Sequence, residues 1–373
     1  MSFVYPRSYI GVIGGGQNGW NLAVAAHKLG FWVNLLVQDV NDLAAKAADQ
    51  VIVGALDDVN LLRRLAAGSQ VVLYATEHVS INALNESQIA AKLPQGTELL
   101  AITQDRYLEK VFLEDHNINI PPYAMVVSLD DIREVIDSIG YPCILKPIQK
   151  GLTKQSHYLL EEPDDLRKLA DKMADGSYIL ESWLPDVKQF SIMVSKDRSG
   201  FVQAFPALET VYREGDFHSA IAHQKNPPEI MDEIRRVAVQ IAENINYQGL
   251  LGVTFLETKS GLLFVNRIYP GTYQAADLYD SVTNFSQYEL QLRALCEWPV
   301  PNLWVRQEGA LIALPANLEP QVFAQIQKRA NWQFSFWPVV QQYGHHEPVL
   351  GEATIVASDY QSLLELLDGT ELW

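Results

Sequence analysis

Residues 9–39 read YIGVIGGGQNGWNLAVAAHKLGFWVNLLVQD. A short apolar run ends in a glycine cluster, a stretch with helical character follows and closes at Gly30, and a second apolar run ends at Asp39. Strand, helix and strand within about thirty residues form the pattern of a parallel βαβ unit. The glycines match GxGxxG through Gly14, Gly16 and Gly19, and Asp39 lies 20 residues past the last of them. That spacing fits a dinucleotide fingerprint, in which glycines admit a pyrophosphate to a helix N-terminus and the acid binds a ribose. Glycines are also needed at any tight strand-to-helix turn. The motif alone therefore leaves a Rossmann oxidoreductase and a different kind of α/β domain both open.

Outward from this unit the alternation continues, with a strand in ADQVIVG, a helix over DDVNLLRRLAA and a strand in QVVLYATE. Residues 1–98 are expected to form a doubly wound α/β domain. A helix is predicted over TQDRYLEKVFLEDH, and the paired prolines of INIPPYAMVV mark a connection. Then come a helix in SLDDIREVIDSIG, strands at CILKPI and HYLLEE, a helix at DDLRKLADKM and a strand at YILESWL. FSIMVSKDRSGFVQAFPAL reads as a hairpin turning at DRSG. After a long helix in EIMDEIRRVAVQIAENI, the strands LLGVTFLET and GLLFVNRIY are joined by KSG. The last segment mixes short strands and one helix and is expected to be a compact cap.

Bulk properties limit the function. A chain of 373 residues is long enough for two or three domains, and 48% hydrophobic with 20% charged residues is ordinary for a globular protein. The opening MSFVYPRSYI runs into a strand without a basic and apolar leader, and no apolar run approaches membrane-spanning length, so a cytoplasmic location is expected. Cys143 and Cys296, the two cysteines, lie far apart without metal-ligand spacing, which predicts buried inert thiols. A net charge of −17 repels nucleic acid and anionic membranes, so any phosphate-bearing ligand must be held by local cations.

Two charged residues stand where such a ligand would need them. Lys146 emerges from the apolar run CIL beneath the polar connection IQKGLTKQSH; it suits a phosphate contact, or a solvated strand end. Glu181 ends the strand YIL, and ESWL is suited to present an acid and backbone groups to an adenine or ribose, or an acid to a neighbouring cation.

In order, IGVIGGGQNG, AADQVIVG, TQDRYLEKVFLEDHNINIPPY, SIGYPCILKP, ESWLPDVKQFSIMV, ETVYREGDFHSAIA, GLLFVN followed by IYP, and SQYELQLRALCEWP resemble the ATP-grasp superfamily. More closely they resemble its N5-carboxyaminoimidazole ribonucleotide synthetase family. The resemblance implies α/β and α+β architecture: an N-terminal doubly wound domain (1–98), a two-lobe ATP-grasp module (99–297) and a small C-terminal β-rich domain (298–373). It implies ATP as cofactor, a small-molecule nucleotide as partner and a homodimer. The activity implied is an ATP- and bicarbonate-dependent carboxylation of aminoimidazole ribonucleotide, with magnesium ions bridging the phosphates. Carried over position by position, the ATP contacts fall on Arg106, Lys146, Glu181, Leu184 and Asn266, and the substrate contacts on Gln17 and Glu77.

The departures cluster where the chemistry takes place. The family's two metal-binding carboxylates fall here on Thr254 and Arg267, which puts magnesium in doubt and leaves no metal ligand and no catalytic residue assigned. In the glycine-poor loop GLTKQSH, Lys154 supplies charge in place of backbone donors. The cations that grip the substrate's phosphate fall on Gly271, Pro348 and Val349. Arg267 is then expected to lend its charge to ATP in place of a metal, or else to point outward to a surface acid. Glu257 and Asp277 are candidates for replacement metal ligands. Three functions follow: the family's carboxylase, a diverged nucleotide-binding or regulatory protein with weak or no such activity, and an ATP-grasp ligase with a different substrate.

Overall fold

The computed structural model describes residues 3–150, 157–169, 176–213, 215–340, 348–368, 370 and 372, and folds them around three sheets. The first is parallel, β1 (Tyr9–Ile13), β2 (Trp32–Val37), β3 (Gln50–Val53) and β4 (Val71–Tyr74), in the order β3-β2-β1-β4. Its strands are apolar on both faces because both are covered. Ile10 and Val12 meet Leu22 and Ala26 of helix Gly16–Lys28, while Ile13 and Leu36 meet Leu62 and Leu65 of helix Val59–Ala67. The first of these cores is completed from far away, by Tyr288, Leu292 and Leu295 of helix Gln287–Leu295 and by Cys296.

The second sheet is antiparallel, β5 (Tyr123–Val126), β6 (Cys143–Pro147), β7 (Tyr158–Leu160) and β8 (Tyr178–Ser182), in the order β5-β8-β6-β7. The third contains β9 (Lys188–Lys196), β10 (Val202–Ala204), β11 (Leu208–Arg213), β12 (Asp216–Ala222), β13 (Gly249–Glu257), β14 (Leu263–Pro270), β15 (Glu308–Pro315), β16 (Gln333–Val340) and β17 (Val349–Ala357). The predicted hairpin is β9–β10: Asp197 Oδ1 accepts from Ser199 N and Phe201 N, and Gly200 supplies a φ of 87°.

One local reading changes. The helix expected across residues 103–116 is split at Asp105, whose extended backbone and carboxylate cap a new helix, Arg106–Asp115, by accepting from Tyr107 N and Leu108 N. The C-terminal segment, expected as a compact cap, is β-rich and joins the third sheet. β15 pairs with β12 from Ser219↔Ile312 to Ala222↔Gly309, so its strands continue the third sheet. Helices Glu319–Lys328 and Tyr360–Leu367 cover them through Val322, Leu363 and Leu367.

The glycine turn is closed from within. Asp42 Oδ1 accepts from Gly16 N at 2.9 Å and Ala44 N at 2.8 Å, and a Cβ on Gly15 would fall inside the Asp42 carboxylate. Asp39 is spent on the exposed Asn41. An acid thus sits where a dinucleotide's pyrophosphate would approach, which disfavours the oxidoreductase reading.

Candidate functional site

Helix Arg106–Asp115, the connection after β6, strand β14 and the segment after β4 meet around a group of charges. Arg106, Glu109 and Lys110 are three and four residues apart on that helix and so share one face. Arg106 is fixed to the connection: its N donates to Ile148 O (2.9 Å), its Nε to Pro147 O (3.0 Å), and its Nη2 lies 3.2 Å from His157 Nε2. A guanidinium donates only, so His157 accepts there as a neutral imidazole. Lys150 N donates in turn to Gln104 O (2.9 Å).

Glu181 is held between two lysines. Lys110 Nζ donates to one carboxylate oxygen at 2.6 Å and Lys146 Nζ to the other at 2.8 Å. Burial pushes this carboxyl up, but the two ammonium groups overcome it and hold it at about 2. Lys110 also lies 5.0 Å over the Tyr123 ring. Glu109 links two elements, accepting from Lys150 Nζ at 2.6 Å and from Ile268 N of β14 at 2.6 Å. Burial pushes Lys150 down to about 8 against the pull of Glu109, with Arg267 and Arg106 adding repulsion.

Arg267 stands opposite Thr254 in the β13–β14 register, while Val265 stands opposite Phe255. Asn266 is therefore an extra, bulged residue, and bulges re-aim the side chains beside them. Arg267 Nη2 donates to Glu77 Oε1 at 2.5 Å, and its Cζ lies 4.3 Å from the Tyr269 ring centre. Arg267 therefore does not turn outward to a surface acid. Burial pushes the Glu77 carboxyl up, and the guanidinium more than reverses this.

The structure thus brings together Glu77, Arg106, Lys146, Glu181 and Arg267, with Asn266 at the bulge and half-buried Leu184 just past β8. Lys154 lies outside the described residues. Lys110, Glu109, Lys150 and His157 escaped the sequence reading. The signal for the first two was charge on the helix face that also carries buried Leu113.

Gln17 is placed in a second buried cluster. Its Nε2 donates to Asp277 Oδ2 at 2.8 Å and Glu352 Oε2 at 3.3 Å, tying helix Gly16–Lys28 to residues 273–291 and to β17. Asp277 also accepts from Asn21, Tyr288 and Gln287. Burial raises the Asp277 carboxyl to about 7, and burial beside Asp277 raises Glu352 as well.

The residues at β13–β14 do not fit a magnesium ion, which needs several oxygen ligands in near-octahedral array. Thr254 spends its hydroxyl on Arg267 O (3.4 Å), Glu77 and Glu109 are each bonded to a cation, and Asp277 is saturated with donors. Glu257, three residues from Thr254 in a strand regularly paired with β9, projects from the opposite face. Both cysteines are buried, and burial pushes their thiols up to about 11 for Cys143 and about 12 for Cys296. No helix among the described residues is long and apolar enough to cross a membrane.

Residues 8–104 match the ribonucleotide synthetase preATP-grasp domain and residues 111–278 match the ATP-grasp domain. The chain thus carries a preATP-grasp and an ATP-grasp domain in succession, as its sequence led us to expect. It is 28% identical to the N5-carboxyaminoimidazole ribonucleotide synthase of Bacillus subtilis (strain 168) over 311 residues, which are 83% of this chain and 82% of that protein. The protein of the same name from Brucella melitensis biotype 1 is 29% identical over 299 residues, 80% of this chain and 83% of its own. A crystal structure of an N5-carboxyaminoimidazole ribonucleotide synthetase in its ADP complex superposes with a TM-score of 0.92 at 25% identity, covering 100% of this chain and 98% of that one.

Proposed function

We propose that this chain is a nucleotide-binding ATP-grasp protein of the N5-carboxyaminoimidazole ribonucleotide synthase type in which that carboxylation is weak or absent, and that its role is to bind or report nucleotide. The observation that carries this reading is the Arg267–Glu77 ion pair. Moving a terminal phosphoryl group needs positioned cations that neutralise charge on the transferred oxygens, and the superfamily's chemistry relies on magnesium for this. Here a guanidinium held by its own acid occupies the position where a carboxylate is needed.

The parts that would hold ATP itself support binding. Lys146 and Arg106 flank one connection as cations, and the two lysines keep Glu181 ionised beside Leu184. The grip on a phosphorylated substrate is weaker. Gly271, Pro348 and Val349 offer no cation, and each missing charge-assisted bond is worth about 1.5–3 kcal/mol. A coupled ADP-release assay with ATP, bicarbonate and aminoimidazole ribonucleotide tests the proposal. Turnover well below the ordinary scale of about 10 s⁻¹ is expected, and turnover on that scale refutes it.

The cluster of Asp277 and Glu352 around Gln17 favours a second reading, a ligase for a substrate lacking a phosphate ester, because a carboxylate, Glu352, stands on β17, the strand that begins at Val349, where the resemblance led us to expect cations. ADP release that depends on an added amine, and not on aminoimidazole ribonucleotide, would select it.

A further inference from the structure

If the chain binds nucleotide as proposed above, something must balance the charge of the phosphates. We infer that the site takes a nucleoside triphosphate free of divalent metal, with Arg106, Lys150 and Arg267 as the built-in counterion. The three come from separate elements, a helix start, the connection after β6 and strand β14. All three are held in place by protein partners, Pro147 O, Glu109 and Glu77.

The charge count agrees. Among the described residues, Lys110, Lys146, Lys150, Arg106 and Arg267 face Glu77, Glu109 and Glu181, and His157 is neutral, which leaves two positive charges in excess, the charge of one magnesium ion. The excess stands inside a protein whose overall charge is −17, so it is a local device rather than part of a basic surface. Capacity remains as well: the buried Arg267 Nε has no partner, and a planar guanidinium offers further donors to phosphate oxygens. A single unpartnered oxygen on Glu77, beside that guanidinium, does not make a seat for a hard dication.

The test is a calorimetric titration of the intact protein with the non-hydrolysable ATP analogue AMP-PNP, once with EDTA and once with excess magnesium. The Kd in EDTA is expected to lie within about threefold of that in magnesium or to be tighter. Binding seen with magnesium but weakened about thirtyfold or more by EDTA overturns the inference while the nucleotide-binding function stands. Binding under neither condition overturns both. Arg267→Glu, which places a carboxylate beside Thr254, is expected to make binding depend on magnesium, whereas Arg267→Lys keeps it metal-free. An Arg267→Glu protein that binds as well in EDTA as the wild type refutes the inference, and the wild-type comparison stands even where a variant fails to fold.

Discussion

Lys110 closes on Glu181 at 2.6 Å with 8% and 6% of the two side chains exposed, an ion pair inside the protein. Removing one partner of such a pair leaves a buried charge uncompensated. Glu181→Gln strands both Lys110 and Lys146 and is expected to destabilise the protein by roughly 3–5 kcal/mol, measured by urea unfolding. The same acid sets an acid limit. Its carboxyl titrates near 4.5 when unfolded and at about 2 when folded, so its stabilisation is complete above pH 4.5 and is lost as pH falls towards 2. Glu181→Gln should flatten the stability curve in that window, and an unchanged curve counts against this account of Glu181.

The Gln17 cluster has the opposite slope. Asp277 moves from 3.8 to about 7 on folding, so the folded state binds the proton more tightly and stability declines as pH rises through that range. One proton sets a limit of about 1.4 kcal/mol per pH unit. Glu352, with Gln17, Asn21, Gln287, Tyr288 and Asp280 also around Asp277, adds to the trend in the same direction. Asp277→Asn should remove most of the decline between pH 4 and 7, read from urea midpoints across pH.

Lys146→Met tests the nucleotide contact. A lost charged hydrogen bond of about 1.5–3 kcal/mol corresponds to roughly 10- to 150-fold weaker ADP binding. Glu181 keeps Lys110, so the fold should persist, as judged by near-ultraviolet circular dichroism. Unchanged ADP affinity would remove Lys146 from the site.

Gly15→Ala tests the closed glycine turn. The new methyl group meets the Asp42 carboxylate, and overpacking of this kind costs about 1–3 kcal/mol. NADH should leave the melting temperature of the wild-type protein unchanged; a rise would restore the dinucleotide reading.

The parallel first domain was legible because its strands are continuous apolar runs and its helix follows a glycine turn, both local signals. The site was half legible. Lys146 and Glu181 end apolar strands and stand out as charges, whereas the two lysines that complete their network depend on contacts between distant segments, 41 residues apart for Lys150 and Glu109 and 71 for Lys110 and Glu181. The helix break at Asp105 was misread because the helical pattern spans it, and a capping aspartate is hard to distinguish from an exposed helical one. The joining of β15 to β12 left no trace in either strand, since an edge and an interior strand differ in partner rather than in composition.

Tyr288, Leu292, Leu295 and Cys296 complete a core whose other members lie within residues 4–75. The core on this side of the first sheet, covered by helix Gly16–Lys28, is therefore left incomplete during synthesis until the chain beyond residue 296 emerges. At about 5–20 residues per second that is a wait of roughly 10 to 45 s, during which the opening strands depend on a chaperone or on transient contacts to avoid association.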